Sequence, residues 1–391
     1  MTPPAFLSDP ALAAVLAALP DARVVGGAVR DALAGRVVAD IDLATALPPE
    51  EVSRALERAS LRAVPTGIDH GTVTAISGGR SFEITTLRRD VATDGRHATV
   101  AFTDDWREDA ARRDFTINAM SMARDGTVLD YFGGQADLAA GRVRFVGDAA
   151  TRIREDALRI LRFFRFQARY GRGAPDAVAI AAIRAGLDGL AILSAERVWG
   201  EISRILIAPD PAGAVALMAE TGVLAAVLPD GADPDALARL IAAGAPADPV
   251  LRLAALAHGD AETLAARLRL SGAERDRIAA LRGGPAPPPD AEDAALRRAL
   301  ADTDAETLIG RAWLSGGAGP GWAALRSRLA AMPRPVFPLE GRDALALGVP
   351  AGPRIGALLR AVRAWWLDGG CTADAEACRA ELARRRQAPG G

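Results

Sequence analysis

The stretch RVVGGAVRDALAGRVVADIDLAT, residues 23–45, constrains this 391-residue chain more than any other. Its apolar run at Arg23–Val25 predicts a strand, Gly26-Gly27 a turn, Ala28–Ala34 one amphipathic helix, and the segment carrying Asp40 and Asp42 a second strand. A strand that passes through glycines into a helix N-terminus leaves backbone N–H groups unpaired and aimed at one point, which suits a phosphate. Carboxylates at i and i+2 of a strand share a face, which suits a divalent metal. Val37, Val38, Ile41 and Leu43 around the pair predict a partly buried strand, where unpaired carboxylates are costly and a metal relieves the cost. Phosphate cradle and metal clamp within one short unit point to nucleotidyl transfer with Mg²⁺. Taken alone, either half is equally at home as an ordinary glycine turn or two solvent-facing carboxylates. The third glycine of a dinucleotide fingerprint and the Gly-Lys-Ser/Thr of a P-loop are both missing.

Downstream, the pattern predicts a helix over Pro48–Ala59 and strands at Leu61–Val64, Thr72–Ser77 and Ser81–Leu87, the last two joined through Gly78-Gly79-Arg80. Glu83 falls mid-strand, a candidate third metal ligand that is equally an exposed strand carboxylate. Residues 88–106 read as a surface loop with room for a short hairpin. An acidic start and the stripe Phe115, Ile117, Met120 predict one helix over 107–123. DGTVLDYFGG and AAGRVRFVG read as a small β-ribbon and strands closing the first domain.

From Asp148 the pattern is almost wholly helical. The strongest segment is 151–171, ended by Gly171, followed by Ala174–Ala185, Ala195–Ile207, Pro211–Glu220, Pro234–Ala243 and Pro249–Ala257. GGPAPPPDAED, residues 283–293, has the composition of a linker. The fold class is therefore α+β, a small mixed sheet followed by helices.

Bulk properties narrow the function classes. A formal net charge of −2 gives no global basic field, so any nucleic acid must be held by a local patch. All basic residues are Arg, so individual arginines matter by position rather than type. Two cysteines and three histidines assemble no zinc cluster, and Cys371 and Cys378 read as reduced thiols in a cytoplasmic protein. The N-terminal apolar run lacks a basic leader and stops at Pro20, and no segment is long enough to span a bilayer. The oligomeric state is left open by the sequence.

Across IREDALRILRFFRF, Ile153, Leu158, Ile160, Leu161 and Phe164 form an inward stripe. Asp156, Arg159 and Arg162 follow at i+3, a contiguous strip of roughly 120° on a helix, with Arg165 drifting further round. Such a strip is ordinarily a solvated face. It also sets an acceptor beside rigid donors. Cytosine and adenine both present an exocyclic amine beside an unprotonated ring nitrogen, whereas uracil and guanine present a carbonyl beside an N–H. One Asp–Arg pair can therefore take C and A and reject U and G without a template, because a wrong base leaves buried polar groups unpaired. In RRDFTIN, Arg113 is either a surface charge at a helix start or a fork of donors for a triphosphate.

With these residues in view, the chain resembles the class II tRNA nucleotidyltransferase and bacterial poly(A) polymerase family, a branch of the polymerase-β-like nucleotidyltransferases. The resemblance is carried by GGAVRDALAG with ADIDLAT, by TTLRRDVATDGRHATVAFTDDWREDAARRDFTINAM, by the run from DYFGG to GRVRFVG, and by TRIREDALRILRFFRFQARYG. It implies that Asp40 and Asp42 bind catalytic Mg²⁺, that Gly27, Arg30 and Arg113 contact the nucleotide, and that Glu155, Asp156 and Arg159 form the family's EDxxR element. Arg162 and Arg165 match further nucleotide-contacting positions. It also implies a nucleotidyltransferase head over 1–147, a base-reading helical neck over 148–210, a body over 211–282, and a linker with tail over 283–391, tRNA lying along the helical parts. The implied activity is addition of C, C and A to the tRNA 3′ end from CTP and ATP. The segment TDGRHATVAF matches a lever that switches C to A, which favours full CCA addition. A poly(A) polymerase or an A-adding enzyme shares the motifs, although only RRRQ near the end offers the basic extension expected of the former. An inactive RNA-binding scaffold would not need Asp40, Asp42, Arg113 and EDALR.

Overall fold

The computed structural model describes residues 4–67, 71–93 and 98–387. It divides into two compact units, 1–229 and 230–391. No helix among the described residues is long and apolar enough to cross a membrane.

The first unit is built on a seven-stranded sheet: β1 (Arg23–Val25), β2 (Asp42–Thr45), β3 (Arg62–Gly67), β4 (Thr72–Ser77), β5 (Arg80–Thr86), β8 (Met120–Met122) and β9 (Val128–Asp130). Their order is β3-β4-β5-β2-β1-β8-β9. β1 lies antiparallel to both β2 and β8, while β2 runs parallel to β5 with Asp42 opposite Glu83. Strands β6 (Arg88–Thr93) and β7 (Ala98–Phe102) pair as a separate antiparallel ribbon. Residues 94–97 of the expected lever lie outside the described residues.

Helices α1 (Pro10–Ala18), α2 (Gly27–Leu33), α3 (Pro49–Arg58), α4 (Trp106–Ala111) and α5 (Gly134–Ala140) surround the sheet. Then follow α6 (Ala149–Glu155), α7 (Leu158–Tyr170), α8 (Ala177–Ala185), α9 (Ala195–Leu206), α10 (Pro211–Thr221) and α11 (Val223–Val227). The α+β class and the switch to helices after the sheet are as the sequence predicts.

Two expected helices are not continuous. The helix expected over 107–123 stops at Ala111; Thr116–Asn118 is a 3₁₀ turn, and Met120–Met122 is the strand β8. The Asp114 carboxylate accepts from Phe115 N–H at 2.8 Å and from Asn118 Nδ2 at 2.9 Å, a local alternative to helical bonding. Met120–Met122 then joins a ladder on each edge. The helix expected over 151–171 breaks at Asp156, whose backbone is extended (φ −156°, ψ 106°). Its Oδ1 accepts from Leu158 N–H at 3.0 Å and so starts α7. The run 141–147 makes one bridge, Phe115 to Phe145, rather than a strand, and α5 occupies the preceding GQADLAA.

An aromatic cluster fastens α7 to the head. Phe115 lies 4.8 Å from Phe145 and 5.2 Å from Phe166 between ring centroids, and Phe145 stacks on Phe163 at 6.2 Å. Phe115 and Phe163 are wholly buried. Burial on this scale stabilises by roughly 2–3 kcal/mol per ring, which holds the face of α7 bearing Arg162 against the 112–118 segment.

The second unit is helical: α12 (Pro234–Ala242), α13 (Pro249–Leu256), α14 (Ala261–Leu268), α15 (Gly272–Arg282), α16 (Asp293–Asp302), α17 (Ala305–Leu314), α18 (Pro320–Ala331), α19 (Gly341–Ala346), α20 (Pro353–Asp368) and α21 (Ala375–Gln387). The proline-rich run 283–292 connects α15 to α16, and Ala291 within it packs with Leu296, Leu300 and Leu308. Leu339, Val362, Trp366 and Leu382 belong to a separate cluster.

Candidate active site

Strand β1 ends at Val25 and the chain turns through Gly26 into α2. Gly26 has φ +65°, and a Cβ there would stand 2.9 Å from Arg113 Nη1. The positive φ requires glycine at Gly26, and a Cβ there would in addition press the end of the Arg113 side chain aside. Gly27 opens α2, and a Cβ on it would meet Arg30 Nη2 at an ordinary 3.5 Å. The positional demand falls on the first glycine of the pair.

Asp42 begins β2, between buried Ile41 and Leu43. Asp40 precedes the strand instead of lying in it, and both carboxylates are exposed. Ile41 and Leu43 are buried as expected, whereas Val37 is 90% exposed, so the apolar surroundings hold on the Asp42 side of the pair and not ahead of Asp40. Partial desolvation, then the charge of Glu83 beside it and of Asp40, push the Asp42 carboxyl above the usual range, with Arg113 opposing. These are hard oxygen donors, the set that suits Mg²⁺ or Ca²⁺. Among the described residues no group of three His, Cys, Asp or Glu forms a metal cage. A cation here would draw its remaining ligands from water and substrate oxygens, the usual pattern for Mg²⁺ at phosphates.

Arg113 is held from below. Its Nη2 donates to Asp109 Oδ2 at 3.2 Å, while Arg112 reaches Asp109 Oδ1 at 2.8 Å. Asp109 is only 3% exposed, and it also accepts from Arg88 N–H at 3.3 Å. Burial alone would raise its carboxyl, but Arg112 and Arg113 hold it below the ordinary value. One buried carboxylate thus orients two arginines and the base of the β6–β7 ribbon, a role the sequence pattern did not reveal.

A second network runs through Asn118. Arg30 Nη1 donates to Asn118 Oδ1 at 2.6 Å, Asn118 Nδ2 donates to Asp114 Oδ1, and Asp114 Oδ2 accepts from Arg162 Nε at 2.7 Å. Arg30 also donates to both Asp31 oxygens at 3.1 Å.

The break at Asp156 changes how the expected Asp–Arg strip is assembled. Asp156 caps α7 with one oxygen and pairs with Arg197 Nη2 of α9 at 2.6 Å with the other. Arg159 pairs with Glu155 and donates to Arg152 O at 2.9 Å and Arg112 O at 3.2 Å. Asp156 and Arg159 are therefore oriented by separate partners and do not bond each other. Arg165 lies 3.2 Å from buried Glu201. Burial, with repulsion from Arg162 and Arg204, lowers it to about 10 against the pull of Glu201.

These elements converge. Gly26, Gly27, Arg30, Asp42, Arg113, Asp156, Arg159, Arg162 and Arg165 line one cavity of about 640 Å³, together with Arg88, Arg112, Asp114, Asn118, Phe166 and Arg197. Of the expected residues, Asp40 and Glu83 stand outside its lining. The cavity carries a great excess of guanidinium over carboxylate, the field a polyphosphate requires.

Comparison with known proteins bears on what such a cavity serves. Residues 22–144 match the family described as poly A polymerase head domain, and residues 176–233 that described as probable RNA and SrmB-binding site of polymerase A. The mouse protein named CCA tRNA nucleotidyltransferase 1, mitochondrial, is 36% identical over 363 residues, covering 89% of this chain and 83% of its own length. Its zebrafish namesake is 43% identical over 262 residues, covering 65% of this chain and 61% of its own length. The crystal structure of the Bacillus stearothermophilus CCA-adding enzyme in complex with CTP matches with a TM-score of 0.79 at 30% identity, over 99% of this chain and 98% of that one.

Proposed function

The chain belongs to the CCA tRNA nucleotidyltransferase family, and from that premise we propose that it adds C, C and A to the 3′ end of tRNA from CTP and ATP without a template. The observation that carries this reading is the single cavity in which Asp42 and Arg113 meet Asp156 and Arg159. Chemistry belongs to residues 1–147, base reading to 148–210, and tRNA binding to 211–282 and 283–391.

The tRNA 3′ hydroxyl attacks the α-phosphate of the bound nucleotide. A new O–P bond forms, the bond to the β-phosphate oxygen breaks, and pyrophosphate leaves. Asp40 and Asp42 hold divalent cation, which we take to be Mg²⁺, and Glu83 adds negative potential beside them. Held by these carboxylates, such an ion would supply the Lewis acidity that lowers the pKa of the attacking hydroxyl and would offset triphosphate charge. Arg113, with Arg112 steadied by the same Asp109, receives the triphosphate through rigid N–H forks. Gly27 lets the nucleotide approach the start of α2, and Arg30 closes the cavity from that helix. Asp156 accepts from the exocyclic amine of C or A while Arg159 donates to the ring nitrogen, and Arg162 and Arg165 line the rest of the nucleotide. Because Arg197 and Arg152 fix these two groups from behind, a uracil or guanine finds acceptor facing acceptor and donor facing donor.

The cytoplasmic placement we propose rests on Cys371 and Cys378, both free thiols.

The test is incorporation of each of the four labelled nucleotides into tRNA lacking CCA, tRNA ending in CC, and an unstructured RNA. Addition of C, C, A that then stops is expected. Long A tracts on any RNA would overturn the reading in favour of a poly(A) polymerase.

A further inference from the structure

A second cavity in the first unit, of about 580 Å³, shares no lining residue with the catalytic one. It lies where α2, α5 and α7 end, and Arg36, Gln135, Arg169, Tyr170 and Arg172 line it. Its charge is one-sided: three guanidiniums and no carboxylate face it. The side-chain bonds of these arginines run to neutral acceptors. Arg36 Nη2 donates to Arg169 O at 2.8 Å, Arg169 Nε to Tyr170 Oη at 3.1 Å, and Arg172 Nη2 to Ala139 O at 2.6 Å and Leu138 O at 3.3 Å.

Helix C-termini attract cations, so part of this cluster is explained by dipoles. The magnitudes do not balance, however. Three helix ends supply roughly half a negative charge each, against three full positive charges, and the Asp31 carboxylate behind Tyr170 is already paired with Arg30. A guanidinium also carries five N–H donors, and the bonds above commit one nitrogen of each. The surplus is directional and points to an acceptor-rich anion.

The cavity is wired to the catalytic one. The Tyr170 ring lies under Arg36 at 5.1 Å and Arg169 at 5.8 Å, and under Arg30 at 4.7 Å. Its hydroxyl donates to Asp31, which in turn holds Arg30. Tyr170 stands about 12 Å beyond Arg162 along α7 at the helical rise, while Arg30 and Phe166 of the catalytic lining border its ring.

We propose that this cavity is a second phosphate-binding site, taking a phosphate carried either by the RNA backbone or by a free nucleotide or pyrophosphate. Only the choice of tRNA as one probe rests on the function proposed above. Anion bound there draws Arg36 and Arg169 off the Tyr170 ring and thereby alters the Asp31 grip on Arg30.

The experiment compares the full chain with Arg36→Gln/Arg169→Gln, Arg172→Gln, the triple variant, and Arg36→Lys/Arg169→Lys. Two quantities are read: tRNA affinity as a function of salt, and the stoichiometry of ATP and pyrophosphate binding. If RNA supplies the phosphate, the triple variant binds tRNA at least tenfold more weakly. Its log affinity then falls less steeply with log salt, by roughly 0.7–0.9 per lost contact, while the Lys variant recovers most of the affinity. If a free anion supplies it, the wild type binds a second equivalent of ATP or pyrophosphate, which inorganic phosphate displaces and the triple variant lacks, with tRNA affinity unchanged. Unchanged tRNA affinity and salt slope together with a single equivalent in every protein would overturn the proposal. Melting curves identify a misfolded variant; should Arg172→Gln unfold, the Arg36/Arg169 pair carries the same test. Failure of CCA addition by the wild type would count against the function and leave the anion stoichiometry readable.

Discussion

Arg162 Nη2 and Asp114 Oδ2 meet at 2.5 Å, joining α7 to the segment between α4 and the 3₁₀ turn. Asp114 is 8% exposed and bonds Asn118 with its other oxygen, so one buried carboxylate ties a candidate nucleotide ligand on the neck helix to Arg30 on α2. Removing the charge strands Arg162 against the wall of the cavity. Asp114→Asn is expected to cost about 3 kcal/mol in denaturant unfolding, the low end for a broken buried pair because Arg162 keeps solvent access. The double variant Asp114→Asn/Arg162→Gln should cost less than the sum of the singles. Strict additivity would mean that the two side chains do not interact in the folded state.

The same carboxylate sets an acid dependence. Burial works to raise Asp114, but the charge of Arg162 and hydrogen bonds from Asn118, Arg162 and Phe115 N–H prevail, and its pKa lies below the ordinary value. A carboxyl depressed on folding contributes stability that is fully present above its unfolded pKa, about 3.9, and is lost as pH falls through the lower folded value. Melting temperature followed from pH 6 to pH 2 should drop more steeply for the wild type than for Asp114→Asn below about pH 4. Parallel curves would remove Asp114 from the acid response.

The two glycines of the cradle should separate. Gly26→Ala forces a left-handed φ on an L-residue, at about 1–2 kcal/mol, and drives its Cβ onto Arg113. It should lower both the melting temperature and kcat. Gly27→Ala leaves the fold intact and should act chiefly on KM for CTP. Equal effects from both would contradict the geometry.

On the proposed reading, base choice depends on an acceptor at Asp156. Asp156→Asn places a donor within reach of the exocyclic amine and breaks the ion pair with Arg197. Selectivity for CTP over UTP, taken as the ratio of kcat/KM values, should collapse by roughly 10² or more. Arg197→Ala should keep the acceptor and loosen it, lowering selectivity less. Retained selectivity in Asp156→Asn would sink the reading of the base by this residue.

Metal demand should depend on substrate. Among the described residues no group of three His, Cys, Asp or Glu could hold a metal, so the Mg²⁺ proposed for Asp40 and Asp42 would be held weakly by the protein alone and completed by nucleotide phosphates. Chelation should abolish incorporation and Mg²⁺ restore it. Mg²⁺ should raise the melting temperature with CTP present and hardly at all without it. A large rise from Mg²⁺ alone would indicate a preformed cage.

The motifs and their order were legible because each depends on local chemistry. A strand, two glycines and a helix start announce the turn at Gly26-Gly27. Alternation reveals β4 and β5 and the small sheet, and proline with acidic first turns marks α3. The same locality misled at Asp114 and Asp156. Both lie in runs whose apolar spacing is helical, yet each carboxylate captures a nearby backbone N–H and breaks the helix, because its other oxygen is claimed by an arginine far along the chain.

What the sequence determined by itself is therefore the inventory: the α+β class, the cradle, the acidic pair and the arginines of α7. Tertiary structure decided how they are held. Asp109 under Arg112 and Arg113, Asn118 between Arg30 and Asp114, and Arg197 behind Asp156 are partners brought together across 3 to 88 positions of chain. The i+3 and i+4 spacing of Asp109 with Arg112 and Arg113 is helical, whereas no spacing encodes the pairing of Arg30 with Asn118 or of Asp156 with Arg197. Ion pairs form where packing of Phe115, Phe145, Phe163 and Phe166 sets α7 against the head, and that packing is a property of the whole unit rather than of any one segment.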